Sequence, residues 1–243
     1  MPAAAITNRS ICCRGMAEPI PIIGATGALG WGLALRLALA DQPVVIGSRS
    51  AERAAQAEAR LREATPKAEV EGLVNQDAAK RGPIVFLTVP FRAQSENLNN
   101  LREALEPGQI LVDCTVPTAA AVGGKGTRTL GVWQGSAAQQ AQEMVPDGVT
   151  VVAALHTVSA QALGDQEAEL DEDVLICGDR KADKAQVARI VELVPGLRAV
   201  NAGALETARF VEQLAPLLIS INARYKAHAG VRIAGLPEGD PWQ

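Results

Sequence analysis

Three glycines at intervals of three, Gly24, Gly27 and Gly30, stand where a short apolar run, IPII, gives way to a helical pattern reading ALGWGLALRLAL. At a strand-to-helix junction the backbone N–H groups point outward and the helix dipole favours an anion. Glycines there can make a tight turn, let a diphosphate approach the backbone, and let helix and strand pack closely. The G-x-G-x-x-G spacing would place its first glycine at Ala25, whereas Gly27 and Gly30 keep the second and third places. The chemistry implied is pyrophosphate binding, against the alternative of a turn with packing duties alone.

The next apolar run ends in VVIGSRSAER, and its end selects the nucleotide. A site for unphosphorylated ribose normally puts Asp or Glu there. This chain has Ser48 and Arg49, a hydroxyl and a guanidinium that can both donate to a ribose 2′-phosphate, the latter in bidentate fashion. Arg53 lies four residues beyond Arg49 and reaches the same phosphate if a helix begins near Ser50. The residues therefore favour NADP; the alternative is a solvated arginine face.

A third run, FLTVPFRA, puts Thr88, Val89 and Pro90 at the carboxyl end of a buried strand, where open α/β sheets bind ligands. Pro90 cannot continue the ladder and turns the chain across the cofactor, or simply terminates the strand. In AALHTVSA, His156 is one of only two histidines. It is either a satisfied core imidazole or a site residue facing the nicotinamide. His228, near the end of a long helical stretch, reads as a surface or helix-end residue. Nothing resembles a Ser-His-Asp arrangement, and no residues show metal-ligand spacing.

The elements that must hold these groups alternate regularly. Apolar runs IPIIG, PVVIGS, PIVFLTV, QILVDCT and TVVAALHTV are interleaved with helical patterns at 29–39, 51–62, 94–105 and 136–144. Such alternation predicts an α/β fold, a doubly wound parallel sheet with crossover helices. After Val158 come two short strand candidates, DVLICG and LRAVNAG, around a helix at 184–194, then a long helical stretch at about 205–228. The expected organisation is an N-terminal tail of residues 1–18, a Rossmann-type NADP-binding domain over 19–158, and a smaller, mainly helical C-terminal cap domain over 159–243. The first residues lack the long apolar core of a secretory signal, and Met16 is a second possible start.

Composition excludes other classes. The chain has 243 residues, is 48% hydrophobic and carries a net charge of −4, with lysines and arginines mixed among acids rather than clustered, so nucleic acid is not an expected partner. No apolar run reaches the roughly 20 residues that cross a bilayer, so no membrane role is expected. Cys12, Cys13, Cys114 and Cys177 form no disulfide framework, which suits reduced thiols in a cytoplasmic protein. The apolar stretch FVEQLAPLLISINARY exceeds what one monomer face needs, and a homodimer is expected.

Taken together, GATGALGWGLALRLA, GSRSAERA, LTVP, ALHTVSA, VLICGD and GLRAVNAGALETARFVEQLAPLLISIN are similar, in order and spacing from Pro19 to about Asn222, to the NADPH-dependent reductases of coenzyme F420, a 5-deazaflavin. The resemblance implies that Thr26, Gly27, Ala28, Leu29, Ser48, Arg49, Arg53, Val89 and Pro90 bind NADP. It implies that His156 borders the deazaflavin pocket, with Thr157 and Val158 beside it. The departures are Ala25 for a family glycine, Arg53 for a common lysine, and a looser DCTVP segment. The implied reaction is reversible hydride transfer between NADP(H) and F420, which demands two flat rings held at about 3 to 3.5 Å rather than an acid or base. Val89, Pro90 and Leu155 would shape the slot, and Lys125, Arg128, Arg198 and Arg209 are candidates for the acidic tail of the deazaflavin. Two other readings stay open. One is another NADP-dependent reductase on the same scaffold, acting on a flavin, an imine or a β-hydroxy acid, with Lys226 or Asn222 near its proton-transfer position. The other is a non-catalytic NADPH-sensing module.

Overall fold

The computed structural model describes residues 18–237 together with Gly239 and Trp242. The expected tail, apart from Glu18, lies outside the described residues, as do Cys12, Cys13 and Met16. Six parallel strands form the main sheet: β1 (Ile20–Ile23), β2 (Val44–Ser48), β3 (Val70–Val74), β4 (Ile84–Leu87), β5 (Ile110–Asp113) and β6 (Thr150–Ala153). Their spatial order is β3-β2-β1-β4-β5-β6. Strand order reverses between β1 and β4, which opens a crevice beyond their carboxyl ends.

Helices cover both faces: α1 (Ala28–Leu39), α2 (Ala51–Ala64), α3 (Asn75–Ala79), α4 (Gln94–Leu101) and α5 (Ala137–Met144). That is why β1, β2, β4 and β5 are buried along their whole length and read as continuous apolar runs. Ile22, Ile46 and Phe86 have no exposed surface, and each such side chain contributes about 1.5–3 kcal/mol by leaving water. The sequence pattern showed no strand between Arg62 and Pro83. The sheet has one there, β3, an edge strand whose VEGLV is half-buried after its first residue. An edge position tolerates Glu71 and Gly72, so the apolar signal is absent.

The chain then continues through α6 (Ala160–Gly164), β7 (Glu172–Ile176), α7 (Lys181–Val191), β8 (Leu197–Asn201) and α8 (Ala208–Tyr225). β7 and β8 pair in parallel as a separate two-stranded sheet, joined to β6 by an antiparallel bridge between Ala153 and Cys177. Hydrophobic side chains from both sides of Val158 share the two core clusters. The contact between α1 and α6 is especially close: a Cβ on Gly32 would lie 2.8 Å from the Gly164 nitrogen. Arg36 locks it, donating from its buried guanidinium to the carbonyls of Leu163, Ala162, Asp165 and Ala168 at 3.1, 3.1, 2.5 and 2.7 Å. The cation thereby satisfies carbonyls left open at the end of α6.

Candidate functional site

The β1–α1 loop is built as the glycines demand, with one role moved. Gly24 carries the left-handed conformation, φ +82°, so the tight turn is made there, while Ala25 is fully buried as part of the core. A Cβ on Gly24 would lie 2.7 Å from Val89 Cγ1, and one on Gly30 would lie 2.4 Å from Thr88 Oγ1. The loop after β1 therefore rests directly on the end of β4. Gly27 is different: a Cβ there would meet only the Gly24 carbonyl oxygen, at 3.3 Å, and would otherwise project into the cleft. Gly27 is the N-cap of α1, with no side-chain cap and no acidic residue in the first turn. A bare helix start beneath an open glycine fits a pyrophosphate.

Helix α2 begins at Ala51, and Ser50 caps it by accepting from the Arg53 N–H at 3.4 Å. This start puts Arg49 and Arg53 on the same cavity. That cavity, of about 210 Å³, is lined by Gly24, Thr26, Gly27, Ser48, Arg49, Arg53, Val89 and Pro90, together with Asn75, Arg92, Ala93 and Asn97. Of these last four, Asn75 donates to Asn97 at 3.1 Å, which ties the end of β3 to α4. Sequence reasoning missed Asn75 because it missed β3, and missed Asn97 because nothing local to α4 signals its pairing with Asn75; Arg92 and Ala93 follow the strand-end proline and could have been taken from that motif.

A second cavity, of about 520 Å³, continues past Gly27, Val89, Pro90 and Arg92 to Ala28, Leu29, Thr88, Phe91, Cys114, Val116, Thr118, Ala120 and Ala121. Thr88 fixes its floor, its hydroxyl donating to the Ile23 carbonyl at 2.8 Å. Among the described residues, Arg92 and Cys114 are the only ionisable side chains lining it. Burial, aided by the neighbouring Asp113, pushes the Cys114 thiol well above its ordinary range. At neutral pH it is an inert thiol.

Behind this cavity lies a buried polar network. Gln94 Nε2 sits within donating distance of Asp113 Oδ2 (2.5 Å), Thr115 Oγ1 (2.9 Å) and the Ala137 carbonyl (2.9 Å). Thr115 N–H donates to Asp113 Oδ1 at 2.7 Å. Burial pushes Asp113 up to about 6, against the hydrogen bonds from Thr115 and Gln94. Glu212, on α8, accepts from the N–H groups of Ala137 and Ala138 at 3.0 and 3.1 Å and so caps α5. Burial pushes it up to about 8. The network joins the start of α4, the end of β5, the start of α5 and α8, and so fixes the loops that form the cavity walls.

Leu155, His156, Thr157 and Val158 are all buried, and none of them lines either cavity. They form the turn between β6 and α6. Leu155 takes a left-handed conformation, φ +67°, a strain of about 1–3 kcal/mol for a non-glycine residue. Neither ring nitrogen of His156 has a hydrogen-bond partner. Burial lowers its pKa to about 4, so the imidazole is neutral. Arg198 does not remain a tail candidate: Nε and Nη2 hold the buried Asp173 at 2.8 and 2.6 Å. Asn222 is spent at the end of α8, where its amide and carbonyl pair with the backbone of Ala229. Lys226 is the left-handed C-cap of the same helix.

The comparisons with known proteins agree with this geometry. A family model described as "NADP oxidoreductase coenzyme F420-dependent" matches residues 19–117, which include every residue lining the smaller cavity and all of those lining the larger one except Thr118, Ala120 and Ala121. The F420-dependent NADP reductase of Methanothermobacter marburgensis is 40% identical over 223 residues, spanning 90% of this chain and 99% of that protein. A solved structure from Arthrobacter sp. FB24, named for F420-dependent NADP reductase, superposes with a TM-score of 0.67 at 24% identity, covering 87% of this chain and 96% of that one. An imine reductase from Pseudomonas sp. shares the fold at a TM-score of 0.57 and 18% identity, covering 86% and 64% of the two chains. Identity over nearly the full length of the Methanothermobacter protein, added to a bare glycine helix start beside paired arginines, places the chain in the coenzyme F420-dependent NADP oxidoreductase family.

Proposed function

We propose that the protein transfers hydride reversibly between NADP(H) and coenzyme F420. When bound, the two cofactors supply the chemistry, hydride passing between nicotinamide C4 and deazaflavin C5. The chain's residues bind, orient and exclude water. The uncapped start of α1 receives the pyrophosphate. Ser48, Arg49 and Arg53 take the 2′-phosphate, and Thr88, Val89 and Pro90 direct the nicotinamide into the larger cavity. One observation carries the reading: among the described residues, none lining the larger cavity is a histidine, lysine, tyrosine, aspartate or glutamate. Reduction of an imine or keto acid needs a proton donor at that place, whereas transfer between two rings needs only their alignment. His156 is neutral and without a partner but lines neither cavity, so on this reading the turn it shares with Leu155, Thr157 and Val158 shifts when the deazaflavin binds, which brings the ring to hydrogen-bond the deazaflavin head. On this reading residues 19–158 hold NADP and residues 159–243 complete the deazaflavin side.

The test is the absorbance of the oxidised deazaflavin on mixing with NADPH and enzyme, beside free flavin, imine and keto acid. Bleaching of the deazaflavin alone is expected; turnover of another acceptor in its place would overturn the assignment. His156→Ala should lower turnover modestly with NADPH binding kept, and loss of NADPH binding would remove His156 from this role.

We propose a cytoplasmic enzyme acting on small molecules. The described residues contain no helix long and apolar enough to cross a membrane. Phe210, Leu217, Ile219 and Tyr225 of α8 are 44–78% exposed, and Trp133 is 97% exposed. These apolar groups support a homodimer, and a monomer mass by light scattering at micromolar concentration would reject it.

A further inference from the structure

Helix α2 carries one more cation toward the phosphate corner than the sequence motif indicated. Arg53, Gln56, Ala57 and Arg60 follow at spacings of three and four and so share one face of the helix. All four line a cavity of about 390 Å³ whose remaining walls are Thr26 and Trp31. Thr26 and Arg53 also line the smaller cofactor cavity, so the two spaces meet at those side chains. The Arg60 guanidinium carbon stacks 3.9 Å from the centroid of the Trp31 ring, and Trp31 is four residues past the N-cap Gly27. A cation–π contact of this kind holds a long side chain in one place.

Among the described residues, none of Arg49, Arg53 and Arg60 has a carboxylate within ion-pair distance, while the next arginine, Arg62, is held by Glu58 at 2.9 Å. Arg49 and Arg53 line one of the adjoining cavities and Arg53 and Arg60 the other; with no carboxylate to neutralise them, their joint field favours a doubly charged group where the two spaces meet. A planar donor held by an aromatic ring also loses little freedom when it binds a phosphate.

We propose that Arg60, positioned by Trp31, is a specificity-determining residue for the 2′-phosphate of NADP, the third guanidinium of that site. The inference rests on the reading that the 2′-phosphate lies at Ser48, Arg49 and Arg53. Its ligand class is a phosphate monoester on the ribose, seated between Thr26 and Arg53 with Arg60 closing the outer side.

The test uses the full chain and two probes, 2′,5′-ADP and 5′-ADP, titrated calorimetrically at two salt concentrations. Arg60→Ala should weaken 2′,5′-ADP by about three- to tenfold, leave 5′-ADP unchanged and flatten the salt dependence of the former. Trp31→Leu should produce a smaller loss of the same selectivity, and Arg60→Lys should retain part of it. An unchanged affinity for 2′,5′-ADP in Arg60→Ala, or equal weakening of both probes, would overturn the role of Arg60. Arg49→Ala separates the two ideas. If that variant keeps full preference for 2′,5′-ADP, the placement of the 2′-phosphate itself is wrong and the role of Arg60 falls with it; if it loses the preference while Arg60→Ala does not, only the role of Arg60 is lost.

Discussion

Adding a methyl group at Gly30 and at Gly27 should have opposite consequences, although the two glycines lie three residues apart in one loop. In Gly30→Ala the new Cβ would stand 2.4 Å from Thr88 Oγ1, 2.7 Å from Ala25 Cα and 3.0 Å from the Gly24 carbonyl oxygen. Two of these neighbours belong to backbone, so α1 must move by about an ångström from the end of β4, and overpacking of this kind costs about 1–3 kcal/mol. Alanine's better helix propensity returns up to about 1 kcal/mol. The net loss of about 1–2 kcal/mol lowers Tm by roughly 2–8 °C for a chain of this size. In Gly27→Ala the backbone, at φ −84° and ψ 165°, suits any residue. The only neighbour of the new Cβ within 4 Å is the Gly24 oxygen at 3.3 Å, so the fold loses less than about 1 kcal/mol, mainly in N-cap preference. The methyl instead occupies the approach of the pyrophosphate, and NADPH affinity should fall by about tenfold or more, equivalent to about 1.4 kcal/mol. Thermal denaturation followed by circular dichroism, beside a fluorescence titration with NADPH, measures both effects. A Gly30→Ala protein that melts with the parent, or a Gly27→Ala protein that binds NADPH normally, would refute the division of labour between these glycines.

Three further perturbations test the scaffold. Arg36→Ala leaves four carbonyls around the end of α6 without their shared donor, at about 3 kcal/mol; Tm should drop by roughly 6–12 °C, and a drop of under 2 °C would show that the carbonyls find other partners. Glu212 and Glu172 are held by burial at about 8 and about 7. An acid raised on folding keeps its proton longer in the folded chain, so unfolding releases protons as pH rises and stability is lost between the unfolded and folded values. With about 1.4 kcal/mol for each pH unit over which the two states differ by one proton, stability should fall by on the order of 4 kcal/mol from pH 6 to 9 in urea titrations, and Glu212→Gln should remove about two thirds of that fall. His156 works in the other direction: held neutral with a pKa of about 4, it opposes folding as pH falls from 6.5 toward 4, so His156→Gln should flatten the acid side of the same profile.

The alternation of buried runs and helical patterns was enough to specify the doubly wound sheet, because strands covered on both faces have no solvent side and must be apolar throughout. The glycine spacing and the Ser48-Arg49-Arg53 cluster were legible for a similar reason. Phosphate recognition uses backbone N–H groups and fixed cations within a few consecutive residues, which local sequence contains. What the sequence concealed depends on neighbours distant along the chain. Edge strand β3 has no apolar run, so Asn75 and its bond to Asn97 appeared only with the fold. Ala25 looked like a defect in the glycine motif, yet the structure moves the turn to Gly24 and buries the alanine methyl. The stacking of Arg60 on Trp31 joins two helices, and the capping of α5 by Glu212 joins residues 75 positions apart. Local pattern fixed which groups could meet a dinucleotide; packing between distant segments decided which of them face the cleft, which are buried behind it, and which are already committed to another partner.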